Sequence, residues 1–292
     1  MATCQKIIKT IERLAPSALA EEWDNTGLQV GDPGREINSV LVTLDITGEV
    51  LQEAIVLGAD LIVAHHPLIF KPPKKIRRDD SVGKLIMEAI QNKIDIYICH
   101  TNADSCFQGV NDCLAARLGL KNTEVLQPAR AKLFKLVVFV PEGHERLVRD
   151  AMGDAGAGWL GQYSHCSFMT GGTGSFKPLE GAHPFIGTPG KLEEVSELRI
   201  ETIVPEYMLQ DIINKILRVH PYEEVAYDIY PIENIEQKHG LGRIGSLNTP
   251  MTLDSLAEKI KEELNCPWIS VSGKPEAMVK RVAVCGGSGG NL

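Results

Sequence analysis

Paired cysteines, long apolar runs and a signal-peptide core are all missing from this sequence, and each absence excludes a class of protein. The seven cysteines show no paired spacing, which argues against a disulfide framework and favours free thiols in a reducing cytoplasm. They form no C-x-x-C motif, which argues against a zinc ribbon. No apolar run approaches the roughly 20 residues needed to cross a bilayer. The charged first helix region likewise lacks the core of a secretory signal.

An excess of positive charge is also absent, and this bears on the partners. Lys and Arg number 30 against 38 Asp and Glu, a formal net charge of −8. This balance argues against broad binding to nucleic acid or to an anionic membrane. No G-K-[ST] occurs, so there is no P-loop. The 292 residues, 43% hydrophobic and 23% charged, are typical of a globular chain of about two domains. We expect a cytoplasmic protein with a small-molecule partner and no nucleic-acid polymer or membrane partner.

The segment GADLIVAHHPLIF, Gly58–Phe70, carries the main candidate site. Leu61–Ala64 is a short apolar run that predicts a buried strand, and it ends in the adjacent histidines His65 and His66. Ligands bind at the carboxyl ends of strands in open α/β sheets, and neutral imidazole is a common metal ligand. Neighbouring strand residues point to opposite faces, so the pair suits two ions, or one ion if the backbone bends. The alternative is one core histidine and one surface histidine.

A second strand of the same kind supplies a carboxylate. IDIYICH, Ile94–His100, is predicted to be a strand, and the following TNADS is predicted to be a loop that contains Asp104. Strand and helix alternate from Val40 to Gly119, which predicts a parallel α/β sheet. Asp104 and the His-His pair should therefore lie at the same edge of this sheet. Two imidazoles and a carboxylate form a partial ligand set for zinc, iron or manganese.

A basic run, KPPKKIRR, follows Phe70 and places five cations in eight residues. One interpretation is a solvated surface, which is the usual fate of such runs. The other is a positively charged entrance beside the site that attracts a phosphorylated substrate. The candidate phosphate-binding residues are Lys74, Lys75, Arg77 and Arg78.

A second unit begins near Lys132 and has the element order βαββαβ, which predicts an inserted ferredoxin-like domain. The predicted domains are 1–130, an outer α/β domain with the His-His site, 131–233, the insert, and 234–292, the incomplete second half of the outer domain. The predicted elements of the insert are strand Leu133–Pro141, helix Glu142–Met152, strand Gly161–Thr170, strand Leu198–Val204, helix Tyr207–Val219 and strand Val225–Tyr230.

Three further motifs are weaker. GLGRIG, Gly240–Gly245, matches G-x-G-x-x-G, but no strand is predicted before it and no helix after it, so the dinucleotide interpretation fails. GGSGG after the strand Val279–Cys285 is a tight turn or a phosphate cradle; because no helix follows, we expect the natural chain to extend beyond Leu292. His220, beside Glu223 and Glu224, is predicted to fix a helix end or a subunit contact, with an acid–base or second metal cluster as the alternative.

An ordered set of motifs resembles the NGG-interacting-factor-three-like family, whose bacterial members are named GTP cyclohydrolase I type 2 homologs. The resemblance implies an α/β outer fold with a dinuclear divalent-metal site, a ferredoxin-like insert and a toroidal homohexamer. It also implies that His65, His66 and Asp104 are metal ligands and that His100 is a second-shell group orienting Asp104 or water. The motifs are WDNTGLQVG, AHHPLIF, CHTNADS, HPYEEVAYDIYPI, GLGRIGSL and VAVCGGSGG.

The sequence departs from this family at its carboxyl end. The family pattern adds a His-x-x-x-Glu motif that supplies a histidine and a bridging glutamate, and the sequence stops before it. Three side chains cannot satisfy two ions, so we expect the chain as given to hold one loosely bound metal or none, and an activity of the intact protein need not extend to it. The leading functional hypothesis is a metal-dependent hydrolase of the GTP cyclohydrolase type, with no catalytic residue assigned. A metal-dependent phosphoesterase and a non-catalytic metal-delivery or regulatory scaffold protein are the alternatives.

Overall fold

The computed structural model describes residues 2–129, 132–161, 163–234, 238–290 and 292. It divides into two compact units, one formed by Met1–Ala129 with Gln237–Leu292 and the other by Arg130–Glu236. No helix in the described part of the chain has the length and apolar character needed to span a membrane. In chain order the elements are β1 Ala2–Thr3, α1 Cys4–Leu14, a 3-10 turn Ser17–Leu19, β2 Gly27–Val30, β3 Glu36–Ile37, β4 Val40–Thr43, α2 Gly48–Leu57, β5 Leu61–Ala64, α3 Ser81–Gln91, β6 Asp95–Ile98, α4 Thr101–Ser105, α5 Val110–Arg117, β7 Lys121–Pro128, β8 Leu133–Pro141, α6 Glu145–Asp154, β9 Phe168–Phe176, β10 Glu193–Pro205, α7 Glu206–Val219, β11 Tyr227–Ile232, β12 Gly240–Thr252, α8 Leu253–Leu264 and β13 Met278–Val284.

A four-stranded sheet in the order β2-β6-β5-β4 forms the first layer of the larger unit. β4, β5 and β6 run parallel, and β2 joins β6 antiparallel. Alternate side chains of each strand face opposite layers. Ile62 and Ile96 pack in one apolar cluster with α2 and α3, whereas Leu61 and Tyr97 pack in another with α1. The two central strands, β5 and β6, are buried on both faces, as parallel strands usually are, and the predicted α/β class is confirmed.

Two helix ends in this unit follow the local chemistry of the residues at which they lie. α2 stops at Gly58, whose φ of 64° is the left-handed conformation that glycine adopts without strain. α8 begins after Thr252, whose side chain accepts a hydrogen bond from Ser255 N. The predicted loop at TNADS is wrong: Thr101–Ser105 is a short helix.

A second sheet of the same unit, in the order β13-β12-β7, is antiparallel and packs against α5 and α8. Its central strand, β12, opens with GLGRIG, a segment for which no secondary structure was predicted from the sequence. A Cβ at Gly240 would lie 2.1 Å from Gln127 O, so glycine is required for β12 to approach β7. β7 was not predicted from the sequence. β12 was missed as well, because the glycines of GLGRIG interrupt the alternation of apolar and polar side chains that identifies a strand.

The unit Arg130–Glu236 follows the order β8-α6-β9-β10-α7-β11, with an antiparallel sheet in the order β11-β8-β10-β9. α6 and α7 share one apolar core with β8 and β10. Two predicted strand positions are shifted: β9 begins at Phe168 rather than Gly161, and β11 spans Tyr227–Ile232. Assignment of this unit as an inserted ferredoxin-like domain, with bounds 131–233, stays our proposal, supported by the element order.

Candidate metal centre

The carboxyl ends of β4, β5 and β6 position the candidate site. The backbone ladder continues just past each strand, because His65 N donates to Thr43 O at 3.2 Å and His66 N donates to Leu44 O at 2.9 Å. On the other side, Cys99 N donates to Ala64 O at 2.9 Å. These bonds place the residues that follow the three strands side by side, at the edge where ligands bind in parallel sheets.

Three histidines converge at this edge. One ring nitrogen from each of His65, His66 and His100 lies within 4.8 Å of the others. Ring centroids are 5.0 Å apart for His65 and His66 and 5.1 Å apart for His65 and His100. The chain bends at His65 and His66 instead of continuing as a strand, and this bend lets adjacent rings join one cluster.

The Asp104 carboxylate lies beside these rings, with its Oδ1 3.8 Å from His65 Nε2. Asp104 sits one turn along α4 from His100, whose carbonyl oxygen accepts from Asp104 N at 3.1 Å. The buried amide of Asn111 donates to Asp104 O at 2.9 Å and accepts from Gly286 N at 2.7 Å. The backbone that carries Asp104 is therefore fixed from two directions.

Hydrogen bonds assign the tautomers of the two adjacent histidines. His65 Nδ1 lies 3.1 Å from Cys99 O, and a carbonyl oxygen only accepts, so the proton is on Nδ1. His66 Nδ1 lies 2.7 Å from Asp45 Oδ1, and a carboxylate oxygen accepts, which assigns the same tautomer. In both rings the Nε2 lone pair is thus left for a ligand.

His100 is oriented by a buried carboxylate, Asp24. His100 Nδ1 donates to Asp24 Oδ1 at 2.9 Å, and the Asp24 side chain is 0% exposed. Asp24 also accepts from Thr101 N at 3.1 Å, from Thr101 Oγ1 at 2.5 Å and from Asn25 N at 2.8 Å. Burial acts to raise the pKa of Asp24, but the hydrogen bonds from His100, Thr101 and Asn25 outweigh it and the pKa is lowered. An ionised Asp24 keeps the His100 proton on Nδ1.

Burial sets the charge state of the groups that face the cluster. It lowers the pKa of His65, against the opposing attraction of Asp104, so the neutral imidazole is favoured. Burial likewise raises the pKa of Asp104, against the attraction of the histidines. Imidazoles that present Nε2 and one carboxylate are the donors that zinc, iron and manganese accept. Carboxylate or carbonyl partners on Nδ1 are the usual support of metal-binding histidines, so this donor set fits a divalent metal.

The structure brings His65, His66 and Asp104 together, and it places His100, expected as a supporting group, within the ring cluster itself. Sequence reasoning missed Asp24 and Asp45. Asp45 follows β4 and could have been found by the strand-end rule that selected the histidines. Asp24 lies within the motif WDNTGLQVG, but no spacing links it to His100, which is 76 positions away.

The four predicted phosphate-binding residues lie on an exposed segment between Phe70 and α3. Arg77 forms an ion pair with Asp79, with Nη2 and Oδ2 2.5 Å apart. Arg78 Nη2 donates to Gln91 Oε1 at 3.3 Å. The other two residues of this set are Lys74 and Lys75.

Comparison with known proteins identifies the family. The sequence profile of Duf34/NIF3 (NGG1p interacting factor 3) matches residues 2–292. This chain belongs to the Duf34/NIF3 family. Among its relatives in that family, the "GTP cyclohydrolase 1 type 2 homolog" of Halalkalibacterium halodurans is 48% identical over 290 residues, covering 99% of this chain and 78% of the relative. The protein of the same name from Bacillus subtilis is 48% identical over 286 residues, covering 98% and 77%.

A solved structure of the Duf34/NIF3 family has the same fold. The Bacillus cereus protein related to NIF3 superposes with a TM-score of 0.86 at 49% sequence identity, covering 99% of this chain and 77% of that one.

Proposed function

We propose that this Duf34/NIF3 chain binds a divalent metal ion through Nε2 of His65, His66 and His100 and the carboxylate of Asp104. We further propose that it is a metal-dependent hydrolase of the GTP cyclohydrolase 1 type 2 kind. The observation that carries the proposal is that each of the three clustered rings has its Nδ1 bonded to an oxygen acceptor. Structural histidines have no need of this shared arrangement, whereas metal ligands require it to present Nε2.

The chain's own residues would have distinct tasks in that chemistry. A bound divalent ion acidifies water and polarises a substrate oxygen. Asp24 and Asp45 hold the His100 and His66 rings in one tautomer and one orientation. Asp104 supplies negative charge, and the burial that raises its pKa also strengthens its interaction with a cation. The exposed segment with Lys74, Lys75, Arg77 and Arg78 would bind substrate phosphate.

The proposal extends to the setting of the protein. Two ions per site, zinc, iron or manganese, and a homohexamer follow from the family resemblance rather than from the geometry. A cytoplasmic location is supported by the seven cysteines, all of which are free thiols.

The test measures the metal content and the turnover of the same protein samples. Protein reconstituted with zinc, iron or manganese is dialysed and analysed by mass spectrometry, and then assayed for formate release from GTP and for phosphate release from a nucleotide panel. His65→Ala should lose bound metal and any turnover. His183→Ala, an exposed histidine of the other unit, is the matched control and should retain both.

Each outcome decides between the candidates. Metal retained by His65→Ala would overturn the metal centre. Phosphate release without formate release would favour a phosphoesterase. Bound metal with neither product would favour the non-catalytic metal-delivery or scaffold protein over the hydrolase.

A further inference from the structure

Two large aromatic side chains stand exposed beside the histidine cluster. Trp23 is 59% exposed and Phe70 is 48% exposed. Their ring centroids are 5.9 Å apart, and Trp23 also meets the His100 ring edge-on with centroids 6.3 Å apart. Isolated exposed apolar residues are common, but a contacting aromatic pair next to a cluster of convergent polar groups is typical of a binding site.

Hydrogen bonds hold the segment that carries Phe70 against the segment that carries Trp23. Gln29 Nε2 donates to Ile69 O at 3.0 Å, and Gln29 Oε1 accepts from Ile69 N at 2.8 Å. Asn25 Nδ2 donates to the same Ile69 oxygen at 2.5 Å. Ile69, directly before Phe70, is therefore anchored to Asn25, which lies two positions after Trp23.

The same bonding continues to the metal centre. Asn25 N donates to Asp24 Oδ1, which also accepts from His100 Nδ1. A single hydrogen-bonded chain thus fixes Trp23 and Phe70 relative to His100. Surface rings that are held in place before binding lose little conformational freedom when a ligand arrives.

We propose that Trp23 and Phe70 stack against a flat heteroaromatic ring of the ligand that binds at the histidine centre. This inference rests on the proposed function and names its substrate class: a planar, unsaturated ring that carries an anionic group. Lys71 directly follows Phe70 and begins the run of five cations, so an anionic tail has positive charge next to the ring site.

A second copy of the chain is the competing occupant of these rings. Cores of protein interfaces are depleted in charged residues, whereas Phe70 is followed at once by the cationic run and Trp23 adjoins a cluster of polar rings. The charge around the pair therefore favours a small anionic ligand over an apolar protein surface.

The experiment uses metal-loaded protein and three probes: guanosine 5′-monophosphate, ribose 5-phosphate and inorganic phosphate. Replacing Trp159 and Trp268 by Phe leaves Trp23 as the sole tryptophan, and its fluorescence reports directly on stacking. We expect guanosine monophosphate to quench Trp23 emission and to bind more tightly than ribose 5-phosphate. Trp23→Ala should weaken guanosine monophosphate binding roughly 5- to 150-fold, as a lost base stack does, and leave ribose 5-phosphate binding and metal content unchanged.

Trp268→Ala is the matched control, since Trp268 is 75% exposed and should not alter any of the three affinities. Equal guanosine monophosphate affinity in wild type and Trp23→Ala would overturn the inference, as would equal weakening for all three probes. A change of oligomeric state in Trp23→Ala would overturn it in favour of a second copy. Metal content is measured on the same samples. If wild type binds metal but binds guanosine monophosphate no more tightly than ribose 5-phosphate, only this inference is overturned. If wild type binds no metal, the proposed function is overturned.

Discussion

The Asp24 carboxylate accepts a hydrogen bond from the His100 ring at 2.9 Å although 76 positions separate the two residues in the chain. The Asp24 side chain is fully buried, and its carboxylate stays ionised because backbone and side-chain donors surround it. It does not itself present a donor to the metal, but by binding Nδ1 it fixes Nε2 as the His100 nitrogen that is available to a ligand. This contact makes the loop before β2 part of the site.

Asp24→Asn should weaken metal binding. The side-chain amide brings two N–H donors into a pocket where Thr101 N, Thr101 Oγ1 and Asn25 N already donate, so the His100 ring loses its fixed orientation. Loss of such a supporting group typically costs 10- to 100-fold in metal affinity, and we expect about that factor. Competition with a chromogenic chelator measures it.

Asp254→Asn is the control for that variant, because Asp254 lies exposed in the first turn of α8. Its metal affinity should equal that of wild type. A folded Asp24→Asn protein with unchanged affinity would show that His100 does not depend on Asp24.

Arg243→Met should destabilise the larger unit. The Arg243 side chain is 2% exposed and binds Asp112 through two bonds, Nε to Oδ1 at 2.6 Å and Nη2 to Oδ2 at 2.7 Å. Arg243 is buried whereas the Asp112 side chain is 22% exposed, so removing Arg243 leaves a partly solvated carboxylate without its partner, and the expected loss is about 1–3 kcal/mol in the free energy of unfolding. Urea denaturation provides the measurement.

The double variant Arg243→Met with Asp112→Leu should recover part of that loss, because the Asp112 carboxylate is then not left without its partner. Arg281→Met, at an exposed position of β13, should change stability by less than about 0.5 kcal/mol. If Arg243→Met alone were as mild as Arg281→Met, the buried pair would contribute nothing to stability.

Gly240→Ala should disrupt the contact of β12 with β7. The φ of Gly240 is 149°, and an added Cβ would lie 2.1 Å from a backbone oxygen of the neighbouring strand. We expect a loss of more than about 1 kcal/mol, seen as a lower melting temperature. Gly48→Ala is the matched control: nothing lies within 4 Å of its added Cβ, at the start of α2, and alanine favours helix. Equal melting temperatures for the two variants would contradict the close approach.

Stability of the second unit should fall with acidification through His220. His220 Nε2 donates to Phe139 O at 2.9 Å, and its Nδ1 accepts from Tyr222 N at 3.1 Å, so the buried ring is neutral. Burial lowers the pKa of His220 below its usual value of about 6.5. The unfolded chain then binds a proton first as the pH drops, and the stability contributed by His220, full above about pH 6.5, is lost progressively below it.

Thermal unfolding at intervals between pH 8 and pH 5 checks this for wild type and His220→Asn. The variant should unfold at lower temperature at pH 8 and lose less on acidification. Parallel pH profiles for the two proteins would exclude His220 as the titrating group. That result would not contradict the hydrogen bonds made by the neutral His220 ring.

Local chemistry explains why parts of the fold could be predicted. The apolar run Leu61–Ala64 predicts a buried strand, because strands buried on both faces must be continuously apolar. The alternation of strands and helices around it predicts a parallel sheet. Gly58 and Thr252 mark helix ends because their conformations and side chains satisfy the backbone there. By contrast, β12 was missed because glycines, selected for close approach to β7, erase the alternation of side chains that identifies a strand.

The candidate metal centre, too, could be predicted only in part from the sequence. By itself the sequence determined that His65 and His66 follow a buried strand and that His100 and Asp104 lie at or just past the end of another, because strand ends are set by local apolar pattern. Only the tertiary structure decided that the rings converge and that Asp24, Asp45 and the Cys99 carbonyl occupy their Nδ1 atoms. Such hydrogen bonds join residues that are distant in the chain, and no local pattern encodes them.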